Sequence, residues 1–119
     1  MSKRFLFVMQ SCPHVRTQLE ENLDMILTAA SMDQTVSLLF LDDRVFQLLE
    51  TQNPAVIGRK HVAPIFQALP LYDVDSFWIE LESLQERSVE DRALTLHVQV
   101  VARSKVAALM ASHDIVVTC

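Results

Sequence analysis

Two cysteines, Cys12 and Cys119, and two adjacent carboxylates, Asp42 and Asp43, are the residues whose types could carry chemistry. Cys12 follows an apolar run, with His14 two residues on and a helix start close behind. An imidazolium and a helix N-terminus both favour the thiolate, so Cys12 could accept sulfur or react with a disulfide. The plainer reading is an ordinary loop cysteine with its thiol protonated. Cys119 is the last residue; pairing it with Cys12 requires the first and last strands to be neighbours, which sequence leaves open. Asp42 and Asp43 could act as an acid–base pair or hold a cation. They also lead a helical pattern, where carboxylates satisfy free amides and oppose the dipole, and we favour that helix-start role. His14, His61, His97 and His113 are dispersed, and no zinc-type spacing occurs. No serine or cysteine carries a histidine and an acid in a local triad signature. The expectation is therefore no catalytic residue beyond the thiol candidate Cys12, no metal and no cofactor.

These residues must be positioned by elements that the apolar periodicity marks out. Residues 4–9 form a short, nearly continuous apolar run, as a strand covered on both faces requires. Thr17 and Glu20 make a capping-box pattern, and Leu19, Leu23, Ile26, Leu27 and Ala30 recur at helical spacing, so a helix is expected over 17–31. A strand over 35–41 ends at the two aspartates, and a short helix over 43–50 buries Val45, Phe46, Leu48 and Leu49. Another helix starts near His61, past the only glycine, Gly58, and Pro70 stops it. Strands over 74–79, 94–101 and 115–118 alternate with helices over 82–87 and 102–113. Every connection is long enough for a crossover, which predicts a parallel sheet with helices on both faces. The first strand–helix loop, Ser11-Cys12-Pro13-His14, has no glycine, and this argues against a dinucleotide or P-loop site.

At 119 residues the chain is expected to be one domain. Half of it is hydrophobic against 21% charged, with a mean hydropathy of +0.23. That excess predicts apolar surface covered by another subunit. A net charge of −5 is a poor basis for gripping phosphates, so direct nucleic-acid binding is not expected. The one basic cluster, Arg59-Lys60-His61, is read as a solvated helix start. The apolar runs are too short to cross a bilayer, and the run at 5–9 is too short for a signal peptide. A cytoplasmic protein without membrane contact is expected.

The opening junction also resembles a known family. Phe40-Leu41-Asp42-Asp43-Arg44-Val45-Phe46-Gln47-Leu48-Leu49 is similar to the Phe-x-x-Asp-Gly-Val-Phe-Gln-Leu segment of the DsrE/DsrF-like sulfur-relay proteins. Leu71-Tyr72-Asp73-Val74 and Ser83-Leu84-Gln85-Glu86-Arg87 resemble its Leu-Tyr-Asp-Ile and Ser-Leu-x-Glu-Arg-Gly segments, and Pro13-His14 its Pro-His/Tyr-Gly. Arg44 and Val15 stand where the family has glycine. The resemblance, which spans essentially the whole chain, implies a three-layer α/β/α sandwich around a five-stranded, mainly parallel sheet. It implies a heterohexamer with paralogous TusB-like and TusD-like subunits, linked through sulfur carriers to tRNA, passing persulfide sulfur toward 2-thiolation of the wobble uridine. The family's sulfur-carrying cysteine follows the third strand of another subunit. The matching segment here, Phe77-Trp78-Ile79-Glu80-Leu81-Glu82, has two carboxylates and no thiol, which implies a non-catalytic subunit. Asp42, Asp43, Val45, Phe46, Leu49 and Tyr72 are the candidate partner-interface residues. The alternatives are a sulfurtransferase or thiol-redox protein acting through Cys12, or a related subunit in sulfur oxidation.

Overall fold

The computed structural model describes residues 3–10, 18–48, 68–74, 76–94 and 97–118. Five strands, β1 (Arg4–Met9), β2 (Thr35–Phe40), β3 (Ser76–Glu80), β4 (Gln99–Val101) and β5 (Ile115–Thr118), form one sheet in the order β4-β3-β2-β1-β5. Every pairing in it is parallel. Between the strands lie the helices α1 (Gln18–Ser31), α2 (Leu81–Glu86) and α3 (Arg103–Ala111). Two 3₁₀ turns, Asp42–Leu48 and Leu69–Tyr72, complete the described elements.

Strand order decides which face each helix covers. The chain steps from β1 to β2, β3 and β4 in one direction, so right-handed crossovers put α1, the 3₁₀ turns and α2 on one face. The return from β4 to β5 runs the other way and puts α3 on the opposite face. The core divides accordingly. Phe7, Met9, Val36, Leu38, Phe40, Phe77 and Ile79 pack with Leu23, Ile26, Val45, Leu48, Leu69 and Leu84. Leu6, Val8, Leu39 and Val101 pack with Val106, Leu109 and Met110 of α3 and with Trp78. The molecule is the expected three-layer α/β/α sandwich.

Several boundaries differ from the periodicity. β4 covers three residues, not the run 94–101, because alternation reports burial and not pairing. Val98 packs against the core without extending the ladder, and Leu94 packs there too at an isolated bridge. His97 stands ahead of β4 and is exposed. The helix expected over 43–50 is a 3₁₀ turn, whose three-residue period still carries Val45 and Leu48 to the core. Pro70 lies inside the 3₁₀ turn Leu69–Tyr72, near its start, where its missing N–H costs no bond. The third strand starts two residues later than expected. Asp73 closes that turn in the left-handed conformation (φ 66°), and β3 starts at Ser76. Thr17, the residues 49–67 and the basic cluster at 59–61 lie outside the described residues. Among the described residues no helix is long and apolar enough to cross a membrane.

Candidate functional site at the carboxyl edge of the sheet

In a parallel sheet, ligands and partners meet the edge where the strands end. Here β2 delivers Asp42 and Asp43 to that edge, β3 delivers Glu80, and β4 delivers Arg103 two residues beyond its end. The Leu41 amide N–H donates to the Met9 carbonyl (2.8 Å), which carries the β1–β2 pairing one residue past the strand. Asp42 then turns the chain in the left-handed region (φ 54°), a conformation aspartate tolerates better than most residues. Arg44, which replaces the family's glycine, is not among the residues with positive φ; the special backbone position of this turn is Asp42. Burial lowers the pKa of the half-buried Arg44 guanidinium.

A polar network closes this edge. The Asp42 amide N–H donates to Ser83 Oγ (2.9 Å), and the Ser83 hydroxyl donates to Glu80 Oε1 (2.6 Å). Arg103 donates to the same Glu80 oxygen through Nε (3.1 Å) and Nη2 (2.9 Å). It also reaches Glu86, through Nη2 to Oε1 (2.9 Å) and Nη1 to Oε2 (3.2 Å). Its backbone N–H donates to Glu82 Oε1 (2.8 Å), which satisfies a free amide at the start of α3. Arg87 closes the ring on the other side, donating through Nε to Asp43 Oδ1 (2.9 Å) and through Nη1 to the Ser83 carbonyl (3.3 Å). The end of β2 is thereby joined, through Ser83 and Glu80, to the first residue of α3.

The electrostatics follow from burial and pairing. Burial alone would raise the Glu80 carboxyl. The hydrogen bonds from Arg103 and Ser83, with the Arg103 charge, outweigh it and hold Glu80 below the usual carboxylate range. The Arg103 hydrogen bond likewise lowers Glu86. Glu86 and Glu80 together raise the Arg103 guanidinium above its ordinary value, so it stays charged. Ser83 is fully buried and both its hydrogen-bonding roles are filled, so it is not available as a nucleophile. Among the described residues no group of three His, Cys, Asp or Glu side chains could hold a metal ion.

The candidate interface residues separate. Val45 is fully buried within this chain, so its side chain shapes the turn from inside and offers nothing to a partner. Phe46, on the same turn, is 42% exposed at the carboxyl edge beside Asp42 and Asp43. Tyr72 is also exposed, but it precedes β3 and sits at the amino edge, a strand length of roughly 17 Å away. Cys12, His14 and Leu49 lie outside the described residues. β1 and β5 are neighbours, which answers the question sequence leaves open about the first and last strands. The Glu80–Ser83–Arg103 network is what sequence reasoning missed. Its members are 3 and 23 positions apart, and no local spacing signals a contact between the end of one strand and the start of a helix after the next.

A parallel α/β sandwich with a strand-end carboxylate locked by its own arginine is the setting for the comparisons with known proteins. The chain belongs to the DsrE/DsrF-like family, whose model matches residues 3–119. It is 34% identical over 118 residues to "Protein TusC homolog" of Pseudomonas aeruginosa, covering 99% of each chain. Its fold is similar to the crystal structure of the ychN protein from E. coli, with a TM-score of 0.78, 18% identity and full coverage of both chains.

Proposed function

We propose that this chain is a non-catalytic subunit of a sulfur-relay complex of the TusBCD kind, supporting persulfide transfer for 2-thiolation of the tRNA wobble uridine. The observation that carries this reading is the end of β3. In the family the sulfur-carrying cysteine of another subunit follows the third strand. Here the matching segment, 77–82, holds no thiol, and the strand ends in Glu80, buried and held by Ser83 and Arg103. Similarity to a TusC homolog over nearly the whole chain supports the same assignment. The paralogous TusB-like and TusD-like subunits dock at the carboxyl edge, on Asp42, Asp43 and Phe46, in a cytoplasmic heterohexamer. This chain positions another subunit's cysteine and touches tRNA only through that relay.

Co-expression with its two paralogues tests the assembly: the three chains are expected to purify together, and a chain that stays monomeric in their presence refutes it. Incubating the complex with a cysteine desulfurase and cysteine, then weighing each intact subunit, tests the division of labour. A gain of one sulfur atom is expected on the partner alone. A gain on this chain that Cys12→Ser removes would instead make Cys12 the carrier.

A further inference from the structure

We propose that Arg103 is a positioning residue for the turn Asp42–Leu48: it fixes the entry of that turn through Glu80 and Ser83, and so sets how Phe46 is presented to a partner. The consequence for docking rests on the carboxyl-edge contact proposed above, whereas the hold on the turn stands apart from it.

The turn has little of its own to fix it. A 3₁₀ segment has poorer hydrogen-bond geometry than an α-helix, and this one, at seven residues, is longer than most. Its first residue, Asp42, stands in the left-handed region (φ 54°), which a residue with a Cβ occupies at a cost. Val45 and Leu48 anchor one side in the core, but Phe46 between them is exposed. The entry is held by the bond from the Asp42 N–H to Ser83 Oγ (2.9 Å).

That bond depends on where the hydroxyl proton goes. A serine hydroxyl has a single proton and rotates to suit its neighbours. Here the proton is committed to Glu80 Oε1 (2.6 Å), which leaves the oxygen's lone pairs to the Asp42 amide. Glu80 is itself buried, and a carboxylate so placed keeps its charge only with a partner. Arg103 is that partner: Nε and Nη2 both donate to the same oxygen that accepts from Ser83 (3.1 and 2.9 Å). Glu86 steadies the guanidinium through both carboxylate oxygens, and Glu82 accepts from the Arg103 backbone N–H. Without Arg103, Glu80 turns toward water or takes up a proton, and either change loosens the bond that orients Ser83.

Amide exchange of the isolated full chain, read residue by residue by NMR, tests the hold on the turn. Arg103→Gln is expected to speed exchange at the Asp42 amide about threefold to tenfold, a larger factor than at the amides of β1. In a Ser83→Ala background the same substitution is expected to add nothing at Asp42, because the path runs through that hydroxyl. An unchanged Asp42 amide, an equal rise across β1, or an effect that persists with Ser83→Ala would each overturn the proposal. Titration with the purified paralogues tests the consequence: Arg103→Gln is expected to weaken assembly about threefold to tenfold. Weaker assembly with an unchanged Asp42 amide would make Arg103 a direct contact and not a positioning residue. Normal assembly of Arg103→Gln, where Phe46→Asp abolishes it, would overturn the docking consequence. A complex that survives Phe46→Asp defeats the carboxyl-edge reading itself, and the exchange data then still decide whether Arg103 holds the turn.

Discussion

Ser83 and Glu80 carry more of this molecule's organisation than their chemistry suggests. The fully buried Ser83 hydroxyl links the Asp42 amide to the Glu80 carboxylate. Ser83→Ala leaves the part-buried Asp42 amide and the buried Glu80 carboxylate each one partner short. It is expected to lower unfolding stability by about 1–3 kcal/mol, measured by urea denaturation. Glu80 makes that stability depend on pH. Its carboxyl titrates lower in the folded chain than the unfolded value of about 4.3, so the folded state binds fewer protons in that range. Its contribution is fully present above the unfolded value and is lost as the pH falls through the folded one. The stability gap between wild type and Glu80→Gln should be constant near neutrality, shrink below about pH 4 and vanish in stronger acid. A gap that widens with acid would mean the pairing with Arg103 does not stabilise the carboxylate.

The 3₁₀ turn Asp42–Leu48 shows one element serving two ends. Its three-residue period points Val45 and Leu48 into the core while Phe46 remains exposed. Substitutions two residues apart should therefore have different signatures. Leu48→Ala opens a cavity under the turn and is expected to cost about 2–5 kcal/mol. Phe46→Asp gives up only a partly covered ring, 42% exposed, and should cost less, about 1 kcal/mol. In co-expression with the paralogues, Phe46→Asp is expected to lose the complex while the isolated chain stays folded. If the complex survives that change intact, the carboxyl edge is not the docking element. The helices that matter here are short. α2 spans six residues and is held by what its side chains reach: Ser83 to β2, Arg87 to Asp43, Glu82 and Glu86 to Arg103.

At the scale of the whole molecule, the two layers of helices share one sheet whose middle strands are buried on both sides. Leu6, Leu38, Leu39 and Phe40 are fully inaccessible, and they belong to the neighbouring strands β1 and β2. We take the chain as one cooperative unit, and expect circular dichroism and tryptophan fluorescence from Trp78 to report a single coincident unfolding transition. Amide exchange should be slowest in β1 and β2 and faster in the edge strands β4 and β5. The two faces are not equivalent. Three crossovers load one face, and α3 alone covers the described part of the other, so the ion pairs from α2 to Arg103 at the start of α3 tie the layers together across the carboxyl edge.

What sequence by itself determined is the order of the elements. Apolar period is a local property, and the runs at β1, α1 and β5 reproduce the observed elements to within a residue. With connections this long, local pattern also implied parallel pairing and helices on both faces. The resemblance carried in Val45, Phe46 and Leu48 pointed to the family now shown, though not to which of them faces outward. Only tertiary structure decided that β1 lies between β2 and β5, that Phe46 and Tyr72 belong to opposite edges, and that Asp42, Ser83, Glu80 and Arg103 form one network. The physical reason is common to all three. Strand order and strand-end contacts join residues tens of positions apart, and they are selected by how the whole sheet packs, not by any pattern within one segment. Asp42 is the clearest case: its carboxylate suggested a helix start, but its backbone, turned left-handed and bonded to Ser83, is what ties the end of β2 to α2.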